Sequence, residues 1–239
     1  EQETERISDM KRSLVIVGAI LITLLVIALG VTLFMDRIVK TTIESMGSDM
    51  LQVPLQVDDV SLSLFSGEGS ITGITIPNPE QFEEGNALVI GSIEVRMDPW
   101  SMFSDTIHVQ ELLIDDLVVT YDLQQTGSNL GQLQSSLASY NEGSEPMEKG
   151  LVIDRLLMEE TTMTARTSIG GVDPITVTLP RVEHTAIGYE ETNMNDVIAT
   201  VLDLIIREVS GDSFRNLIMD EGERLLRDAE EALRERLMN

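Results

Sequence analysis

VSLSLFSGEGSITGITIPNP, residues 60–79, decides how the middle of this chain folds. Val57, Val60, Leu62 and Leu64 on one arm, and Ile71, Ile74 and Ile76 on the other, flank the turn Ser66-Gly67-Glu68-Gly69. An apolar period of two around a glycine-rich turn predicts a β-hairpin with one apolar face. Pro77-Asn78-Pro79 ends the second arm, because proline removes a ladder donor and holds the backbone extended.

The same period continues outward. Leu88, Ile90, Ile93, Val95 and Met97 predict a further strand closed by Asp98-Pro99, and the short WSMFSD segment that follows reads as a turn of helix. Ile107 to Asp122 predicts a strand, a corner at Asp115-Asp116 and a second strand. IHVQELLIDDLVVTY from Ile107 aligns without gaps on LVIDRLLMEETTMTA from Leu151, a spacing of 44 with the acidic corner kept as Glu159-Glu160. One bent β-unit used twice is the expectation. A last hairpin turns at Gly170-Gly171 and returns through Ile175, Val177, Leu179 and Val182.

Helical spacing appears in three places. Asp36 to Leu51 carries Ile38, Val39, Ile43, Met46 and Met50, with Gly47 as the expected stop. Ser128 to Tyr140 places Leu130, Leu133, Leu137 and Tyr140 on one face behind Ser128 as N-cap, and the polar Asn141 to Lys149 reads as a loop. From Asn195, Val197, Ile198, Val201, Leu202, Ile205, Ile206 and Val209 form a wide apolar stripe broken at Gly211; a further amphipathic helix is expected from Ser213. These C-terminal helices can pack on the domain's own sheet, serve as a contact for a protein partner or a second copy through residues 195–239, or lie on a membrane. The eleven acids against six arginines after Asn193 speak against a membrane surface.

Ser13 to Met35 holds 23 residues without a charge, closed by Lys11-Arg12 before and Asp36-Arg37 after. At ~1.5 Å per residue this is roughly 34 Å of helix, enough to span a bilayer core, with Leu14, Ile20, Leu24, Ile27 and Leu33 among the spanning residues. Ala28 and Gly30 form a small-x-small pair of the kind that ends a signal peptide, but the apolar run continues past it, which favours a retained signal anchor. Three basic residues before the segment and two after it place the short N-terminal tail in the cytoplasm and the bulk of the chain outside. The expected layout is a tail over 1–12, a single-pass transmembrane anchor over 13–35, a helical extension over 36–51, a β-sheet domain over 52–193 and amphipathic helices over 194–239.

The chain carries a net charge of -25 and no cysteine. Between Leu51 and Gly150, sixteen acidic residues face only Arg96 and Lys149. Such a surface repels nucleic acid, so no nucleic-acid partner is expected, and an exported domain would rest on its core without disulfides. His108 and His184 stand far apart, and a zinc site would have to be built mostly from carboxylates, so no metal and no cofactor is expected. The doubled acids fall at turns and strand ends, where they read as solvated corners. Gly67, Gly69 and Gly73 form a GxGxxxG flanked by strands on both sides, whereas a phosphate cradle needs a following helix N-terminus. No catalytic residue is assigned, and the expectation is a protein that is not an enzyme.

An N-terminal anchor and short helix leading into VPLQVDDVSLSLFSGEGSITGITIPNPEQF, then NALVIGSIEVRMDPWSMFSDTIHVQELLIDDLVVTY, GSNLGQLQSSL and LPRVEHTAIGYE, resembles the AsmA-like proteins of bacterial envelopes over about Ser13 to Val209. Their amino-terminal region is similar to the chorein end of bridge-like lipid-transfer proteins. The resemblance implies an α+β fold: a single N-terminal transmembrane helix, then a curved, mostly antiparallel, taco-like sheet with short helices and C-terminal amphipathic helices. It also implies a bacterial inner-membrane location with the bulk of the chain in the periplasm, an aliphatic groove for phospholipid tails, and a part in envelope lipid transport or homeostasis. The long members have many more strands, enough to span between membranes; this chain does not. Leu62, Leu64, Ile74, Ile76, Ile93, Val95, Ile107 and Val109 are the candidate groove lining. Two fates are open to that face: holding acyl chains, or packing on the helices at Ser128 and Asn195. A scaffold or accessory subunit of a larger inner-membrane complex is the alternative function.

Overall fold

A computed structural model describes residues 35–63, 65–143, 149–167, 174–189 and 193–210. The expected anchor and its spanning residues, Leu64, the turn at Gly170-Gly171 and the last helix from Ser213 lie outside the described residues. Among the described residues no helix is long and apolar enough to cross a membrane.

The fold is α+β: a curved, open, mostly antiparallel sheet with three helices among the described residues. The described part of helix α1 covers residues 35–51. The strands are β1 (Asp59–Ser63), β2 (Glu68–Pro77), β3 (Asn86–Met97), β4 (Thr106–Gln124), β5 (Gly127–Ser128), β6 (Gly150–Met158), β7 (Thr161–Thr167), β8 (Ile175–Leu179) and β9 (Val182–Ile187). Helices α2 (Asn129–Gly143) and α3 (Met194–Ser210) complete the elements, with a 3-10 turn at Pro99–Phe103. The order β1-β2-β3-β4-β6-β9 runs across the sheet, with β7 beside β4 and β8 beside β7.

The 44-residue echo is a physical pairing. β4 runs parallel to β6 and β7 with Ile107 opposite Leu151, Val109 opposite Ile153, Leu112 opposite Leu156 and Val118 opposite Thr162. The sheet bends along a line that crosses its strands. Gly73, Asp116 and Glu160 all have left-handed backbone (φ 64°, 52° and 47°), and the registers place them on one row with Gly91. At this row the inward residues step by three instead of two: Ile71 to Ile74, Ile93 to Ile90, Ile114 to Leu117. Gly91 is required there, because a Cβ would lie 2.7 Å from that of Asp116.

Helix α1 lies along the free edge of β1 and bonds through side chains to β1 and to the segment that leads into it. Leu62 N–H donates to Asp36 Oδ1 (3.0 Å), Val57 N–H to Glu44 Oε1 (3.1 Å) and Leu55 N–H to Ser48 Oγ (2.9 Å), while Lys40 Nζ donates to the Asp58 carbonyl (3.0 Å). An edge strand with open donors is a template for unwanted pairing, and these contacts close it. Gly47 is not the stop of this helix. It is buried inside it at a close approach to Leu55, where a Cβ would meet Leu55 Cδ1 at 2.6 Å. The helix ends past Leu51, where Gln52 turns left-handed (φ 58°). Ser128 caps α2 by accepting from Gly131 N–H at 3.1 Å, but α2 continues to Gly143, beyond the loop expected from Asn141.

The core lies on the concave face. Leu130, Leu133 and Leu137 of α2, and Val197, Ile205 and Val209 of α3, are buried with Ile114, Leu117, Val119, Leu156 and Met163 of the sheet. Gln134 Nε2 donates to Asp203 Oδ1 (2.7 Å), tying α2 to α3.

Candidate functional site: an apolar cavity

Between α1, α3 and the concave face lies a cavity of about 410 Å³. Helix α1 contributes Val39, Thr42, Ile43, Met46, Gly47 and Met50; α3 contributes Met194, Ile198, Val201, Leu202 and Ile205. Leu55 follows α1, and the sheet supplies Ile71, Ile74, Ile76, Ile90, Ile93, Leu112, Ile114, Leu151 and Ile153. Thr42 is the only polar side chain among these 21 residues. The volume falls within the ~300–1,000 Å³ of ligand pockets, but the convergent polar groups that orient a polar ligand are missing from the lining.

The cavity has a sealed floor and an open rim. Met50, Leu55, Ile74, Ile76, Ile90 and Ile114 are buried, whereas Val39, Ile93, Leu112, Leu151 and Leu202 are half-exposed. Val39 belongs to the first described turns of α1, and Leu151 stands at the start of β6, where Gly150 N–H bonds to the Asp105 carbonyl just past the 3-10 turn (2.8 Å). The rim therefore opens toward the end of the sheet that carries the described start of α1, the β1–β2 turn and the 3-10 turn.

Of the eight residues named from the sequence, Ile74, Ile76 and Ile93 line the cavity. Leu62, Val95, Ile107 and Val109 lie on the same inner face, as their register partners Gly69, Leu112, Leu151 and Ile153 fix, yet outside the lining. Leu62, Val95 and Ile107 are partly buried against the core and Val109 is within it. Sequence reasoning missed the contribution of α1, which supplies six lining residues although its apolar spacing was visible.

The convex face is polar and charged. Glu111 is bridged by Arg96 (3.2 Å) and Arg155. Nearby, Asp154 Oδ1 accepts from the Tyr189 hydroxyl and sits 2.9 Å from His108 Nε2. The Tyr189 hydrogen bond, followed by that of His108, holds the Asp154 carboxyl below the usual carboxylate range, and the same bond pushes the Tyr189 hydroxyl up. His184, the other histidine, is 3.8 Å from Glu208 of α3. Among the described residues no three histidine or acidic side chains converge to hold a metal ion.

No protein-family model matches the chain, and no curated protein matches it by sequence.

Proposed function

We propose that this chain is a membrane-anchored envelope protein that shelters the acyl chains of phospholipid in the cavity under α1 and α3, as its resemblance to AsmA-like proteins implies. The observation that carries this reading is the cavity lining, aliphatic but for Thr42. A dozen methylenes transferred from water into such a lining gain on the order of 10 kcal/mol at ~0.8 kcal/mol each, before the cost of immobilising the chain. No polar contact is needed for that gain, and the lining offers almost none. The acidic surface (net charge -25 overall) favours lipids with a zwitterionic or neutral headgroup at the mouth. On this reading the anchor lies in a bacterial inner membrane and the sheet in the periplasm.

The test is native mass spectrometry of the full chain with bound lipids identified, comparing the wild type with the cavity-lining double variant Ile198→Trp/Leu202→Trp. Stoichiometric phospholipid on the wild type and its loss from the folded variant are expected. A folded, lipid-free wild type, or lipid kept equally by both proteins, would count against the cavity as its site.

A further inference from the structure

Four large apolar side chains stand exposed around the open end of the cavity. Phe65 in the β1–β2 turn is 90% exposed, Trp100 and Phe103 in the 3-10 turn are 79% and 80% exposed, and Ile38 on α1 is 58% exposed. The two turns are bound together: Met97 N–H donates to the Gly67 carbonyl at 2.7 Å, and a Cβ on Gly67 would lie 2.9 Å from Pro99 Cδ. Asp36, in the first described turn of α1, pins that turn to Leu62, three residues before Phe65. The aromatic turns and the foot of α1 therefore form one end of the molecule. Exposed aromatics grouped in this way mark an interaction surface.

Its occupant follows from where the chain goes. Residue 35, the first described residue of α1, is the last of the 23 uncharged residues Ser13–Met35, so the apolar stretch joins the described domain at this end. Tryptophan and other aromatics at such an exit occupy the boundary between headgroups and acyl chains. Basic side chains among the described residues at this end are few: Arg37 is exposed, Arg96 is paired with Glu111, and Lys40 and Lys149 donate to the carbonyls of Asp58 and Met102. Attraction to anionic headgroups thus has little to work with, and insertion of the rings has to supply the contact.

We infer that Phe65, Trp100 and Phe103 form a membrane-interface foot that seats the open rim of the cavity on the bilayer surface. This rests on the membrane-anchored reading above and is independent of what the cavity holds. The foot would fix the tilt of the domain, which a single helix alone leaves free to swing.

Trp100 is the only tryptophan in the chain, so its emission reports on this surface alone. The full chain, reconstituted in phosphatidylcholine vesicles, is measured with acrylamide as aqueous quencher and brominated phosphatidylcholine as lipid quencher. Blue-shifted emission, several-fold protection from acrylamide and strong quenching by lipid brominated near the headgroup end are expected. Phe65→Ser/Phe103→Ser should lose most of the lipid quenching while keeping its circular dichroism. Carbonate extraction of the same vesicles reads the anchor separately. An integrated chain whose Trp100 stays open to acrylamide, or is shielded yet insensitive to bromolipid, overturns the foot and leaves the anchor standing. A carbonate-extractable chain overturns both.

Discussion

Asp116 on β4 and Glu160 between β6 and β7 occupy the same position on a parallel ladder, 44 residues apart, and both hold left-handed backbone. The side chain of Asp116 fills the space that Gly91 leaves on β3. The bend is thus built jointly by β2, β3, β4 and the link between β6 and β7, and β3 and β4 are coupled across it. Gly91→Ala should destabilise the protein by ~1–3 kcal/mol through overpacking, and Asp116→Gly in the same chain should recover most of it. Denaturant unfolding of the two single variants and the double variant gives the coupling; additive effects would refute it.

Glu160 has no comparable side-chain reason to be non-glycine at φ 47°. Glu160→Gly should be neutral or stabilising by up to ~1 kcal/mol, since a left-handed L-residue costs roughly that much. Loss of more than that in a urea titration would show that the Glu160 side chain contributes to the fold.

The contacts of α1 on β1 give a local prediction. Asp36→Ala leaves the Leu62 N–H without its acceptor and should cost ~1 kcal/mol. Native-state hydrogen exchange should show faster exchange at Leu62, with the amides of β3 unchanged. Equal acceleration throughout the sheet would mean that Asp36 acts on global stability instead.

Floor and rim of the cavity should respond differently to truncation. Ile114 is fully buried, so Ile114→Ala should cost ~2–5 kcal/mol, whereas half-exposed Leu202→Ala should cost well under that. Thermal unfolding of the two variants separates them, and similar losses would place Leu202 in the core.

On the convex face, the Tyr189–Asp154 bond sets a pH dependence of known sign. The lowered Asp154 pKa contributes stability that is present above the ordinary carboxylate value near ~4 and lost as pH falls through the folded value. The raised Tyr189 pKa contributes stability that is complete below ~10 and lost as pH rises through the folded value. Tyr189→Phe should remove the alkaline dependence and weaken the acid one, as followed by urea midpoints against pH; unchanged curves would refute the link.

The strands were readable because Leu62, Ile74, Ile76, Leu88 and Ile90 alternate cleanly and because proline and glycine mark their ends. The repeat was readable from the 44-residue spacing, but that its two copies pair side by side in parallel was not. The phase of the inner face was not. Along β4 the inward residues run Ile107, Val109, then Leu112, Ile114, then Leu117, Val119, with a three-residue step at an irregular register and another at Asp116. A strict period of two carries no sign of such steps. Gly47 misled for a related reason: glycine marks close approach as readily as a helix end, and only the position of Leu55 tells the two apart. The cavity itself arises from the spacing of α1 and α3 over the sheet, a distance between segments far apart in the chain.

The cavity closes at Met50, Leu55 and Ile76 and opens at Val39 and Leu151. Depth in such a blind pocket is a ruler. On the proposed reading, a chain entering tail-first would stop at a fixed wall with its polar end outward, so occupants would sort by the length and straightness of their hydrocarbon, and a tail longer than the pocket would leave its last methylenes outside at the mouth.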